Sequence, residues 1–428
     1  MGTGSAIVMN SAVTMDAHAS RAWARRYART TPGVVVLIAV AVAAVGLAAG
    51  LASAAALDDR INRQQAVLAE LEPVAYAAQN LYAASSAADA AAATIFLSGG
   101  TQTPLMRARY QQALAGAAGA LADATAGAPD VASRTSLAEV SAHLTTYTGL
   151  VEAARANNIQ GFPIGSAYLR EASSLMQTRL LPAAESVYAA DLARVDEAQR
   201  GTAALPVLGL ALWAATLVVI GVGSAVLSRR THRLFNIGLV SAAVIVLVVM
   251  VGVVGAVRLA GDDIARARAE GTARFGALAE ARILAQQART EETLQLITRG
   301  DITAGEAAFY HRIDELRALV GGGAPAVTEA LDSWVDSHRR QVEAYRTGDY
   351  PAAVDQALGI DRRASGAQFA LVESALREAI EQARGTMRGY VAGAARYLGW
   401  TPTAVLGSTI AVIAVAVAGL WPRLKEFL

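Results

Sequence analysis

Cysteine is absent from the 428 residues, which excludes disulfides, thiolate nucleophiles, lipobox anchoring and the usual structural zinc sites together. Lysine occurs once, as Lys425, so a P-loop, a kinase nucleotide-anchoring lysine or a Schiff base has no residue to be built on. The five histidines, His18, His143, His232, His311 and His338, are too scattered for HExxH-like spacing. His143 and His338 fall on helical patterns beside Leu144 and Trp334, where a packed imidazole is a simpler reading than a ligand. No catalytic residue, metal site or cofactor is implied. Gly221-Val222-Gly223 has no strand before it and lies in an apolar run, so it is no dinucleotide loop. Arg299-Gly300-Asp301 spells an adhesion tripeptide but reads as a helix ending at Gly300.

Charge is also missing locally. The segments 34–57, 205–227, 234–257 and 398–421 hold no acidic or basic residue in a chain that is 54% hydrophobic and 17% charged. A helix of about 20–25 residues covers roughly 30–37 Å and crosses a bilayer core. Four membrane spans follow. Gly46 and Gly50, with many Ala and Gly residues elsewhere, suit close helix approach, and Trp400 and Trp421 suit interfacial anchoring of the last span. No ionisable group sits in the middle of a span, as a proton or ion path would need.

The basic segments lie at 1–33 (Arg21, Arg25, Arg26, Arg29), 228–233 (Arg229, Arg230, Arg233) and 422–428 (Arg423, Lys425). The positive-inside rule puts these on the cytoplasmic side of a cell membrane, with both termini inside and SRRTHR as a tight turn between spans. The long segments 58–200 and 258–396 are then outside. The first has 10 Arg against 14 acids and the second 18 against 20, a balance that excludes a nucleic-acid surface. Ala52-Ser53-Ala54 after the first apolar run also fits a cleavable secretory signal, which leaves the first external segment on the same side.

The chain repeats with a period of about 200 residues: 34–57 matches 234–257, and "IFLSGG" (95–100) faces "QLITRG" (295–300). In the first external segment Leu71, Val74, Ala78, Leu81, Ser85, Ala88, Ala92 and Ile95 recur at spacings of three and four, a heptad stripe that reads as a bundle core. Leu169, Ala172, Met176, Leu180, Ala183 and Val187 do the same later. Breaks at "SGGTQTP", "AGAPD" and "NNIQGFP" make four helices. The second segment has breaks at "RGDIT", "GGGAP" and "TGDYP". The expected fold is therefore an all-α membrane protein with four transmembrane helices and two tandem extracytoplasmic four-helix bundles.

In an up-down-up-down path the first and third breaks of each bundle meet at one membrane-distal tip, about 60 Å out if the first helix has about 40 residues. Candidate partner-binding residues are Asn157, Asn158, Gln160 and Phe162 at the first tip and Asp349 and Tyr350 at the second, because turning a chain requires no aromatic or amide cluster. Arg229, Arg230 and Arg233 are the candidate cytoplasmic relay.

"ANNIQGFPIGSAYLREASSLMQTRLLPAAESVY" (156–188), "LYAASSAADAAAATIFLSGG" (81–100) and "WVDSHRRQVEAYRTGDYPAAVDQALG" (334–359) resemble the actinobacterial GlnX-type membrane proteins, and the resemblance spans nearly the whole chain. It implies signalling: transfer of the state of GlnH, an extracytoplasmic amino-acid-binding lipoprotein, to the cytoplasmic serine/threonine kinase called protein kinase G. It brings no ligand-contact residues with it. Two large external segments set against short cytoplasmic ones also lead us to expect a non-enzymatic adaptor with borrowed output, in contact with lipid and compatible with a homodimer. An accessory subunit of an amino-acid transporter and a structural envelope scaffold are the alternatives.

Overall fold

The computed structural model describes residues 30–98, 104–202, 206–231, 236–298, 300–359 and 361–425. Among these the regular structure is helical, with no strand, and the chain is an all-α membrane protein. Four helices are long and apolar enough to cross a membrane: Pro32–Leu97, Val207–Arg229, Ile237–Ile297 and Ser365–Pro422. The chain divides into two compact units, one from residues 1–62, 202–262 and 393–428, the other from 63–201 and 263–392.

The first unit gathers the apolar parts of α1 (Thr31–Ala66), α7 (Val207–Thr231), α8 (Ile237–Arg266) and α14 (Thr401–Lys425). Lipid offers no hydrophobic drive between helices, so close packing and interhelical hydrogen bonds must hold them. Small residues supply the first. A Cβ on Gly238 would lie 2.4 Å from the Cα of Gly419, and one on Gly50 would lie 2.1 Å from the Thr409 hydroxyl. Polar groups supply the second: the Trp213 indole donates to Ser53 Oγ at 3.1 Å, and Asn236 Nδ2 donates to the Gly419 carbonyl at 3.0 Å. Trp400 and Trp421 are both exposed.

The second unit holds both long segments that lie between apolar stretches, 63–201 and 263–392. Its first half comprises α2 (Glu72–Leu97), α3 (Pro104–Gly127), α4 (Val131–Ile159), and α5 (Gly165–Leu175) with its continuation α6 (Leu181–Thr202). Asp130 caps α4 by accepting from the Ser133 N–H at 2.7 Å. Wide five-residue turns precede α2 at Val67–Leu71 and α6 at Met176–Leu180. Each is followed within two residues by a proline, Pro73 or Pro182, that cannot donate to the helical ladder and so favours a local change of register. Val74, Ala78, Leu81, Ser85, Ala88, Ala92 and Ile95 of the heptad stripe are all buried.

The second half comprises α9 (Ala273–Thr298), α10 (Thr303–Val320), α11 (Pro325–Arg346), α12 (Tyr350–Leu358) and α13 (Ser365–Gly399). Its breaks fall where "RGDIT", "GGGAP" and "TGDYP" stand, but one more follows. The helix begun at Tyr350 stops at Leu358, where Gly359 takes an extended backbone, φ −57° and ψ 154°. The long fourth helix therefore starts at Ser365.

The two halves share one continuous core. Leu81, Tyr82 and Ala88 belong to the same buried cluster as Phe275, Leu278 and Ala285, and α2 packs along α9. That is why α2 buries residues on both sides of its stripe, such as Ala75, Ala83 and Ser86. Alanine makes this possible, because small side chains let two helices approach on either face. Polar ties run across the same seam. Glu72 is 1% exposed and accepts from Arg384 and, at 2.6 Å, from Arg388. Arg282 pairs with Glu373 and donates to Gln79 and Asn80 at 3.1 and 3.0 Å.

Candidate functional site

The third helix of each half ends in the same way. α4 stops at a Gly161 with φ +73°, and the Phe162 N–H bonds back to the Asn157 carbonyl at 2.9 Å. α11 stops at a Gly348 with φ +84°, and the Asp349 N–H bonds back to the Ala344 carbonyl at 3.0 Å. In both, the left-handed residue reverses the chain and satisfies the last carbonyls, and glycine adopts that conformation without a Cβ clash.

The amides and hydroxyls beside these turns hold the breaks together. Asn158 Nδ2 donates 3.0 Å to the Phe96 carbonyl at the end of α2. Tyr350 donates 2.9 Å to the Leu296 carbonyl, and Tyr345 donates 3.0 Å to that of Gly300, both at the end of α9. The first and third breaks of each half thus lie together. Leu97 also packs with Leu296, Tyr345 and Tyr350, so the two ends adjoin.

The sequence-derived candidates separate by role. Asn157 donates to the Ala153 carbonyl within its own helix at 2.8 Å, Asn158 joins α4 to α2, and Asp349 caps α12 by accepting from the Ala352 N–H at 3.1 Å. Tyr350 is half-buried with its hydroxyl committed. Gln160 and Phe162 face outward, and Phe162 is 54% exposed. Ile159 and Ile164, exposed by 58% and 54%, flank it. Sequence reading did not single these two out, because whether an isoleucine next to a turn is exposed depends on the path the chain takes there. Arg229 is exposed at the end of α7, the side chain of Arg230 is not described, and Arg233 lies outside the described residues.

A buried ionic cluster lies under the second end. His338, fully buried, donates to Glu292 at 3.0 Å and to Glu306 at 2.9 Å, and its ring stacks on Phe309 at 3.7 Å between centroids. Glu292 also accepts from Arg289, Ser365 and Trp334, and Arg289 donates to the Ala357 carbonyl at 3.1 Å. Helices α9, α10, α11, α12 and α13 each contribute. Burial by itself would raise the Glu292 carboxyl, but Arg289, His338 and Ser365 outweigh it and bring it down to about 2. Burial by itself would lower His338, yet its bonds to the two carboxylates raise it to about 9. The legible signal was Arg289 and Glu292, three apart on a helix whose neighbours are core residues.

In the first half the buried acids include Asp89, on the stripe face of α2. It accepts from Ser173 at 2.8 Å, Tyr147 at 3.3 Å and Gln177 at 3.4 Å, and burial raises its pKa. Among the described residues no group of three or more His, Cys, Asp or Glu side chains is arranged to hold a metal ion.

Residues 63–200, which comprise the first half of this unit, match the family model described as Actinobacterial sensor domain. No curated protein and no solved structure matches the chain.

Proposed function

We propose that this protein is a non-enzymatic transmembrane signalling adaptor of the GlnX type. It relays the state of an extracytoplasmic amino-acid-binding lipoprotein, GlnH or its equivalent, to a cytoplasmic serine/threonine kinase of the protein kinase G kind. One observation carries the reading: the stretch that matches a sensor domain begins inside the helix Pro32–Leu97, whose earlier part is an uncharged membrane span. A helix is stiff along its axis, so a small displacement at the end of α2 passes along it rather than dissipating in a linker. The helix Ile237–Ile297 gives the second half the same continuity.

The lipoprotein lands on the outer end of the second unit, with Phe162, Ile159 and Ile164 as the apolar contact. Exposed clusters of this kind suit protein partners, and an aromatic at the centre suits a hot spot. Arg229, Arg230 and Arg233 face the cytoplasm and report the change. An internal duplication accounts for the paired features, since wide turns start at Val67 and Ala267, 200 residues apart by subtraction, and both third helices end on a left-handed glycine.

In-membrane crosslinking to the lipoprotein tests the docking surface. Phe162→Ser and Ile159→Asp abolish the crosslink while membrane insertion is retained; an undiminished crosslink in both variants removes the docking assignment. Asn157 and Asn158 are poor probes because replacing them loosens the turn itself. A deletion strain with normal amino-acid uptake and altered phosphorylation of the kinase's substrate supports the relay, whereas lost uptake points to transport.

A further inference from the structure

We infer that the first half of the second unit contains a binding site for a small organic carboxylate, in the cavity where Tyr110, Arg107 and Arg155 converge. This rests on the proposed sensing role and gives it a direct ligand. The cavity has a volume of about 60 Å³ and lies among α2, α3, α4 and α5, with an apolar floor and a rim that includes Glu152 and Asn158. A single water needs about 10–15 Å³, so there is room for a short-chain acid of several heavy atoms.

The side chains specify the ligand's chemistry. Tyr110 lines the cavity, is 6% exposed, and its hydroxyl has no hydrogen-bond partner among the described residues. A buried hydroxyl left unmade costs free energy, and a ligand oxygen removes that cost. Of the two carboxylates whose charges act on this phenol, Glu152 pairs with Arg155, and Asp89 is already met by Ser173, Tyr147 and Gln177. Burial first, and then the Glu152 and Asp89 charges, push the Tyr110 phenol up to about 12, so it remains a donor at any physiological pH.

Arg107 makes no ion pair among the described residues, and Arg155 pairs with Glu152 at 2.9 Å. Two guanidinium groups against one carboxylate leave the rim with an excess positive charge. A planar two-oxygen anion can take the Tyr110 hydroxyl on one oxygen and a guanidinium on the other. The apolar floor accepts its hydrocarbon end, which a bare inorganic anion lacks. An occupant here also borders Asn158, the residue whose amide joins α4 to the end of α2. Binding is thereby linked to the helix that carries the first span.

Calorimetric titration and thermal unfolding of the full chain in nanodiscs test the site, with acetate, succinate, glutarate, L-aspartate and L-glutamate as probes and succinamide as the uncharged control. At least one acid should give saturable heat and raise the unfolding temperature, and succinamide should not. Tyr110→Phe and Arg107→Gln should each weaken binding about tenfold or more, the loss of one hydrogen bond to a charged group. Without ligand, Tyr110→Phe should unfold no earlier than the wild type, because the change removes an unpaired buried hydroxyl. Tighter binding of glutamate than glutarate identifies an amino acid with Glu152 meeting its ammonium; the reverse order identifies a plain acid. Absence of binding by every acid, binding of succinamide as tight as succinate, or wild-type affinity in both variants overturns the proposal. Carboxylate binding without a lipoprotein crosslink sinks the relay and spares this site, and the opposite pattern sinks this site alone.

Discussion

The His338 cluster gives the second unit a defined pH dependence. Its imidazole moves from an ordinary 6.5 in the unfolded chain to about 9 in the fold. A difference of about 2.5, at about 1.36 kcal/mol for each pH unit, amounts to about 3 kcal/mol. Because the folded value is the higher one, the contribution is complete below pH 6.5 and disappears as pH rises from there through about 9. Glu292 has the opposite sign, since its carboxyl falls from 4.5 to about 2. Its contribution is present above pH 4.5 and is lost as pH drops toward 2. Both describe one buried pair, so the two amounts are not added. The perturbation is His338→Gln, which keeps a polar side chain and removes the cation between Glu292 and Glu306. Pulse proteolysis in urea, from pH 6 to 9.5, should show the wild type losing about 3 kcal/mol across that range relative to the variant. The two curves should converge at the alkaline end. NMR titration of the imidazole, assigned by its absence in His338→Gln, should give a midpoint near 9. Parallel curves for the two proteins, or a midpoint near 6.5, would refute the reasoning.

Three further outcomes follow from other contacts. Arg384→Met leaves Glu72 buried with only Arg388 beside it and should destabilise the second unit by roughly 3 kcal/mol, while adding Glu72→Leu should restore most of the loss; urea unfolding of the single and double variants measures this. Gly348→Ala forces a Cβ into a backbone with φ +84° and should cost about 1 kcal/mol, whereas the same change at Gly149, within α4 and with nothing within 4 Å of a new Cβ, should be neutral or slightly stabilising in the same assay. Gly238→Leu would put a Cβ 2.4 Å from the Gly419 Cα and so force the two helices apart; disulfide trapping between cysteines introduced into α8 and α14 should drop sharply while insertion persists.

Much of the fold was legible from single residues. The four uncharged stretches read as spans, since a helix of that length without charge matches the hydrocarbon core of a bilayer. The heptad stripe of α2 identified its buried face, and glycine and proline identified the turns. The extra break after Leu358 was harder to see, because Gly359 ends that helix without a proline beside it, and the Asp361-Arg362-Arg363 that follows also suits the solvated face of a helix. The candidate residues at the two third-helix turns were legible as a group but not by role. Asn157, Asn158, Asp349 and Tyr350 spend their polar atoms on backbone carbonyls and a helix cap, which no spacing rule reveals, while Ile159 and Ile164 emerged as exposed only when the path of the turn was known.

By itself, the order of residues determined what each segment had to be: helix rather than strand, span rather than soluble core, turn rather than helix. Those outcomes depend on local periodicity, on the cost of burying charge in lipid and on the backbone freedom of glycine, all of which act over a few neighbouring positions. Tertiary structure alone decided that the two halves share one core, that Arg384 reaches Glu72 across 312 residues of chain, that Glu292 and Glu306 enclose His338, and that Tyr110 meets a cavity with no partner among the described residues. Such pairings depend on which faces of distant helices come into contact, and alanine-rich faces, being nearly alike, carry too little pattern to announce their partners in advance.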